Sequence, residues 1–504
     1  MKINRKIVLI MCDSQRWDMV NCYKDTGLKT PCIDKLASEG VRFNRAYTTQ
    51  PVCQPARAGI FTGMLPHSSQ SSTNSVGMAD NVQTIGKRLE DLSVHTAYIG
   101  KWHLDGGDYF GKGICPQGWD GKYWYDMKNY LDELSDQDKV RSREPRIMDK
   151  DGVDAEFTFA HRCTNRAIDF LENYHEDDFF LVVSYDEPHQ PHLCPEPFAS
   201  MYKDYAFPKY PDFYDTLENK PEHQKIWAQA NYIEDHDSYE LKWHHYFGCN
   251  SYVDYEVGRV VEAVDKYAED ALIIYTSDHG DFLSSRSLSG KGPATYDEIT
   301  RIPLIMRMKG QIEQGIVDEN PVSHIDLAPT IFDVMQLEKP SLFEGNSLVK
   351  ELQDPTFKTN DCIYMEFGRY ELLHDGFGGF QPLRCCFDGR FKLTINLLSS
   401  DELYDLQNDP HEMNNIINKL EYEKIRNDLH DKLLDKMNET LDPLRGYYWE
   451  CRPWRTDRQD VKTWSYTQMV RNRFNDLYEP RPRDYSTGLP LETQSKQNES
   501  LKDK

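Results

Sequence analysis

Several short stretches of this chain carry side chains that could do chemistry together. Residues 51–63 read Pro-Val-Cys-Gln-Pro-Ala-Arg-Ala-Gly-Ile-Phe-Thr-Gly, so Cys53, Pro55 and Arg57 form a C-x-P-x-R element that opens a helix-like run ending at Thr62-Gly63. Asp13 closely follows an apolar run at 7–11, and Asp278-His279 closely follow another at 272–276. Two carboxylates and an imidazole at neighbouring strand ends could hold one divalent cation. Lys101 and His103 come just past the run at 96–99, and Pro188-His189-Gln190-Pro191 comes just past 179–185. Lys291-Gly292-Pro293 lies upstream of Ile302-Pro303-Leu304-Ile305. Each stretch alone has a plainer reading. A free cysteine usually packs in a core, an Asp after a strand caps the next turn, and a lone Lys serves solubility. Ser277-Asp278-His279-Gly280-Asp281 fits that plain reading least, because it crowds hydrogen-bonding and ionisable groups at the mouth of a buried strand.

The elements that must position these groups are legible as short apolar runs separated by helical patterns. Residues 7–11, 96–99, 179–185, 272–276 and 303–306 read as buried strands rich in β-branched and aromatic side chains. Thr30-Pro31 opens a helix that closes at Gly40, with Pro early and Gly past the end. Val253, Val257, Val260, Val261 and Val264 make an apolar helical stripe leading into the run at 272. This alternation predicts an α/β fold with a large, mostly parallel sheet flanked by helices, whose chemistry gathers beyond the carboxyl ends of the strands. From about residue 360 the pattern changes. Residues 362–367, 384–387 and 391–395 read as closely spaced strands with an Asp388-Gly389 turn, followed by a helix bearing Leu420, Ile425, Leu429, Leu433 and Met437 on one side. The expected organisation is a catalytic domain at 1–355, a smaller α+β subdomain at 356–445, and an extension at 446–504 whose polar end, 492–504, reads as disordered.

Composition bounds the partners. The 504 residues carry a formal charge of −24, which argues against nucleic-acid binding, since phosphate contacts need clustered Lys and Arg. An anionic substrate then needs positive charge concentrated in a pocket, where a metal ion would help. No run is long enough to span a bilayer, and the start of the sequence lacks the pattern of a secretory leader, so the expectation is a cytoplasmic protein with no membrane partner. The twelve cysteines, without C-x-x-C pairs, read as reduced thiols.

Taken in order, these stretches resemble the signatures of the type I, formylglycine-dependent sulfatases of the alkaline phosphatase superfamily. The likeness covers C-x-P-x-R at Cys53, the Gly100-Lys101-Trp102-His103-Leu104 segment, the P-H-x-P element at His189, and Lys291. It extends to Ser323–Thr330 and to the Leu403-Tyr404-Asp405-Leu406 and Asp409-Pro410-His411-Glu412 segments, so it spans about residues 5–440. The resemblance implies that Cys53 is oxidised to formylglycine by a maturation enzyme that reads Pro55 and Arg57 before folding. It implies a metal shell of Asp13, Asp278, His279 and the modified Cys53. Many family members carry a second acid directly after the first, whereas Ser14 and Gln15 stand here, which leaves the metal open. Oxygen-rich ligation favours Ca²⁺ or Mg²⁺, and His279 brings Mn²⁺ into range.

The implied reaction is hydrolysis of a sulfate ester, most readily on a saccharide. A hydroxyl of the hydrated aldehyde would attack sulfur beside the metal. His189 or Lys291 would protonate the departing alcohol, and His103 would then act as base to release sulfate. Arg57 and Lys101 would hold the hydrate. Arg384 and the aromatic, glycine-rich 374–380 segment are candidates for the substrate cleft, or else glue between the domains. The acidic, Tyr- and Trp-bearing region 105–150 is expected to be a specificity insertion or a surface excursion. Phosphonate monoester or phosphate diester hydrolysis at the same site is the alternative reaction, since Asp278-His279 permits it.

Overall fold

A computed structural model describes residues 5–456 except 80, 108, 145–146, 151 and 372–378, with the side chains of 149 and 150 also left aside. Among the described residues, the strands β1 (Lys6–Cys12), β2 (Val41–Tyr47), β3 (His95–Gly100), β4 (Phe179–Ser184), β5 (Leu272–Ser277), β6 (Arg301–Ile302), β7 (Leu304–Arg307) and β8 (Ile316–Ser323) form one eight-stranded sheet. Its order is β3-β4-β1-β5-β7-β2-β6, with β8 also paired to β2. Neighbours are parallel across β3-β4-β1-β5 and across β2-β8, while β7 and β6 run antiparallel to their partners. The sheet is therefore mixed with mostly parallel strands, as the alternation implied, and the run near 303–306 is one of its antiparallel members.

Helices cover both faces, which is why the central strands read as continuous apolar runs rather than alternating ones. Side chains on a strand point to opposite faces in turn. Along β1, Val8, Ile10 and Cys12 enter one core while Ile7, Leu9 and Met11 enter the other. The first core packs helices Phe159–Tyr174 and His244–Tyr267, including Val253, Val257, Val260 and Val264 from the predicted stripe. Each such buried side chain contributes about 1.5–3 kcal/mol. The second core packs helices Cys53–Thr62 and Leu327–Val334. Tyr125, Met127 and Tyr130 of the 105–150 region also lie in the first core, so much of that region is interior rather than excursion.

The register aligns the motif residues. Met11 pairs with Ser184, Cys12 with Ser277, and Gly100 with Ser184. Asp13, Lys101, Asp186 and Asp278 therefore emerge side by side at one carboxyl edge. Gly100 is what lets β3 join this row so closely. Its φ is +126°, and a Cβ there would sit 1.9 Å from the Ser184 carbonyl oxygen.

The C-terminal part forms a four-stranded antiparallel sheet in the order β12-β11-β10-β9 among the described residues. Its strands are β9 (Ile363–Phe367), β10 (Leu383–Phe387), β11 (Phe391–Asn396) and β12 (Glu402–Asp405), with Gly389 at φ +99° in the expected turn. Helix Glu423–Glu439 buries Leu429, Leu433 and Met437 against the sheet. Leu420, expected on the same apolar side, instead precedes that helix and is 81% exposed, because a short 3-10 turn there breaks the helical phase. Of the 446–504 stretch, Trp449 joins the C-terminal core and Arg452 donates to Asp401 at 2.8 Å, while 457–504 lies outside the described residues. Among the described residues, no helix is long and apolar enough to cross a membrane, and no disulfide joins the cysteines.

Replacing Gly100 by Ala should cost at least about 2 kcal/mol of unfolding free energy, since strained φ and a backbone clash coincide. Urea denaturation measures it, and a change within about 0.5 kcal/mol would refute the close approach.

Candidate active site

Cys53 is the first residue of helix Cys53–Thr62, and all ten residues of that helix are buried. Gly63, left-handed at φ +65°, ends it, where a helix of this composition needs a residue without Cβ. The helix points its start at the carboxyl edge of the sheet. Cys53 Sγ lies 3.3 Å from His279 Nε2 and 3.7 Å from Asp13 Oδ1, and Lys291 Nζ donates to it at 2.8 Å.

One turn on, Arg57 faces the same space and is fully buried. Its Nε donates to Asp278 Oδ2 at 3.1 Å and its Nη2 to Asp13 Oδ2 at 3.1 Å. Nη1 donates to the Lys101 carbonyl at 2.7 Å and to Ser184 Oγ at 2.8 Å. Lys101 Nζ in turn lies 2.8 Å from Asp13 Oδ2 and donates to Asp186 Oδ1 at 3.0 Å.

Asp13, Cys53, Asp278 and His279 offer ligand atoms within 4.8 Å of one another, all buried. The chemistry of this set fits a divalent cation. His279 Nδ1 lies 2.8 Å from the Gly280 carbonyl, which can only accept, so Nδ1 carries a proton and Nε2 is the nitrogen turned toward position 53. Lys291 Nζ lies 2.9 Å from that Nε2. Asp278 Oδ1 accepts from the backbone N–H groups of Ser14 and His279, which aims its carboxylate. Ser14 has φ +66° and donates its hydroxyl to Asp13 Oδ1 at 2.8 Å. A second acidic cluster, His67, Glu366 and Asp442, is already satisfied by Thr440 and Arg384.

Charge in this buried space is strongly coupled. Burial and Asp13 disfavour the Cys53 thiolate, yet Lys291, Lys101 and His279 outweigh them and draw the thiol down to about 5. Burial would raise Asp13, but Lys101, Lys291, His189 and Arg57 hold it well below the usual carboxylate range. Burial and the Asp13 charge push Asp278 up to about 7 against His279 and Arg57. Burial opposes the Lys291 ammonium, and Cys53, Tyr370 and Asp13 more than offset it.

The two remaining histidines are neutral bases here. Burial and then Lys101 take His103 down to about 3 and His189 down to about 4. His103 has φ +58°, and no partner among the described residues reaches its Nδ1. His189 sits between cis peptide bonds at Glu187-Pro188 and Gln190-Pro191.

All nine expected residues thus converge on one edge: Asp13, Cys53, Arg57, Lys101, His103, His189, Asp278, His279 and Lys291. Glu187 and His192 are held as structural groups, accepting from Ala160 N–H and bonding the Pro188 carbonyl. Arg384 is not in a cleft. It is buried, donates to Asp442 at 2.6 Å and lies 3.5 Å from Glu366, so it clamps the C-terminal part together. Residues 374–378 lie outside the described residues. Three groups escaped the sequence reading: Asp186 beside Lys101, Tyr109 over Lys101 at 3.9 Å, and Tyr370, a phenol near Lys291 and Cys53. The Tyr-Asp-Glu run before Pro188 was the available signal for Asp186; Tyr109 and Tyr370 had none.

Comparisons place this geometry in context. A family profile described as Sulfatase matches residues 5–337, and one described as N-sulphoglucosamine sulphohydrolase, C-terminal, matches 293–439. The chain is 45% identical over 496 residues to the uncharacterized sulfatase YidJ of Escherichia coli K12, covering 96% of this chain and 97% of that protein. It is 25% identical over 514 residues to the N-acetylglucosamine-6-O-sulfatase of Bacteroides thetaiotaomicron, covering 86% and 87%. The fold matches the phosphonate monoester hydrolase of Silicibacter pomeroyi with a TM-score of 0.72, at 22% identity and covering 87% and 96% of the two chains.

In unmodified, chelator-treated protein, the difference in 240 nm absorbance between wild type and Cys53→Ala should titrate as one thiolate near pH 5. Lys291→Met removes the nearest cation and should move that titration upward by more than one pH unit, about 1.4 kcal/mol. An unmoved titration would contradict the assigned contact.

Proposed function

The chain belongs to the sulfatase family and is a sulfuric ester hydrolase, and from that premise we propose that it removes sulfate from a sulfated saccharide at the Cys53 cluster. The observation that carries this reading is the meeting of Arg57, Lys101 and Lys291 with Asp13, Asp278 and His279 around the start of the Cys53 helix. A thiol ringed by cations and metal ligands is suited to carry the reacting group rather than to pack. The saccharide is supported by the name of the N-acetylglucosamine-6-O-sulfatase relative.

Asp13, Asp278, His279 and the residue at position 53 would hold one divalent cation, Ca²⁺ by preference, with Mg²⁺ and Mn²⁺ also accommodated. That cation and the formylglycine made from Cys53 by a maturation enzyme would together supply an ionised oxygen nucleophile and polarise the sulfate. The protein's own groups do the rest. Arg57 and Lys101 orient the group at position 53 and offset negative charge there. Lys291, 2.8 Å from Cys53 Sγ, would meet the sulfate. His189 and Lys291 are the candidates to protonate the departing alcohol, and His103 is the candidate to take a proton from position 53. We read 1–355 as the catalytic body and 356–445 as a subdomain that closes on it, with 446–504 as an extension.

Phosphonate monoester or phosphodiester hydrolysis is the second reading, favoured by the Asp278-His279 pair and the cationic pocket, which suit a phosphoryl anion equally.

Protein co-expressed with a maturation enzyme should release inorganic sulfate from at least one member of a panel of sulfated mono- and disaccharides. Cys53→Ala and prolonged chelation should each reduce that rate by more than about 100-fold. Turnover of phosphonate monoesters with no sulfate release would replace the first reading by the second.

A further inference from the structure

Asp186, Tyr109 and His189 form a chain of contacts that runs from a buried carboxylate to the edge of the site. Asp186 is 4% exposed, and its Oδ1 accepts from Lys101 Nζ at 3.0 Å and from the Tyr109 hydroxyl. Tyr109 has a single O–H, and it is committed to Asp186. Toward His189 Nδ1, 3.2 Å away, the phenol oxygen can therefore only accept. The Gln190 carbonyl, 2.9 Å from the same nitrogen, can also only accept. Two acceptors facing Nδ1 keep a proton there whatever charge the ring carries. Nε2 is left as the nitrogen that gains and loses one.

The phenol is held in place for this. Its ring lies 5.0 Å from the His189 ring at 34°, 3.9 Å from Lys101 Nζ, and 6.0 Å from the His103 ring. Arg143 covers it at 5.9 Å. The charged groups around His189 are Lys101, Lys291, Arg143, Asp13 and Asp186. Lys101, Lys291 and Arg143 disfavour the imidazolium, while the negative charge of a sulfate ester beside the ring favours it.

We propose that Tyr109 and Asp186 are positioning residues for His189: the phenol sets which ring nitrogen faces the substrate, and the Asp186 carboxylate stabilises, through it, the imidazolium that protonates the departing alcohol. This rests on the sulfate-ester reading and deepens it. As the bond from sulfur to the departing oxygen breaks in favour of the incoming nucleophile, its electron pair stays on that oxygen. The oxygen takes the Nε2 proton, and His189 becomes neutral. The protons on Nδ1 and on Tyr109 do not transfer.

Leaving-group dependence tests this. A sugar or alkyl sulfate needs a proton on its departing oxygen, whereas 4-nitrophenyl sulfate leaves as a stable anion and needs little help. Tyr109→Phe keeps the ring and removes only the hydroxyl. Its kcat should fall about tenfold on the sugar sulfate, the size of one lost hydrogen bond to a charged group. On the aryl sulfate kcat should change less than about twofold, with KM within about twofold on both. The ratio of the two rates is independent of how much variant is folded, so a folding defect cannot imitate the result. His189→Gln, run alongside, should show the same bias more strongly. Equal loss on both substrates, or no loss, in Tyr109→Phe while His189→Gln keeps the bias would overturn the positioning role alone. Absence of the bias in His189→Gln would overturn the acid role and the proposal with it. No sulfate release by the wild type from either substrate would instead defeat the sulfate-ester reading itself.

Discussion

Arg57 donates to groups that come from four different strand ends: Asp13 after β1, Asp278 after β5, the Lys101 carbonyl after β3, and Ser184 at the end of β4. Nothing else in the described molecule reaches all four. The planar guanidinium suits this task because its donors spread in a fixed fork. It is fully buried, and so are both carboxylates it holds. Breaking such a pair strands a charge in low dielectric, at about 3–5 kcal/mol, so the site and the sheet edge are mutually dependent. The parallel register brings the strand ends level, and the guanidinium makes that level a rigid platform.

The same residue explains how a chain of net charge −24 can receive an anion. Acidic groups dominate the outer surface, while Arg57, Lys101 and Lys291 are gathered in the interior and are almost fully buried. Screening by salt reaches exposed charges within about 8 Å at physiological ionic strength, but buried ones far less. The interior cations therefore govern the site largely independently of the surface. They are held charged by Asp13, Asp278 and Asp186, which also prevent them from repelling one another apart. Sulfate and phosphonate oxygens would meet the same donors, so the cationic pocket suits either anion.

Much of this was legible because buried parallel strands announce themselves as apolar runs, and the chemistry stands directly after them. Asp13, Lys101, His189 and Asp278 were each placed by that rule, and the sheet order then brought them together. Cys53 and Arg57, one helical turn apart, were placed by their own spacing. The strands β2, β6 and β8 were missed. β6 has two residues, and β8 includes Asp318, Glu319, Asn320 and Pro321, so neither shows an apolar run. Arg384 was left open between cleft and glue because a buried ion pair and a substrate contact look alike in one dimension; the structure gives the ion pair. Tyr109 sits in an irregular segment with no periodicity, and its meaning arises only when the end of β4 arrives beside it. Leu420 illustrates the limit of phase arguments: a single 3-10 turn displaced it from the face on which helical spacing put it.

The burial of the whole Cys53–Thr62 helix also has a meaning in time. His279 and Lys291, the groups that close over position 53, enter the chain roughly 230–240 residues later. At a synthesis rate of about 5–20 residues per second, the segment stays uncovered for roughly 10–50 s before its lid exists. On the function proposed above, an enzyme that reads Cys53, Pro55 and Arg57 would have to work within that interval, because folding then withdraws all three from reach. The distance along the chain between Cys53 and its covering residues would then act as a clock, and translation speed would become a variable that sets what fraction of molecules emerges modified.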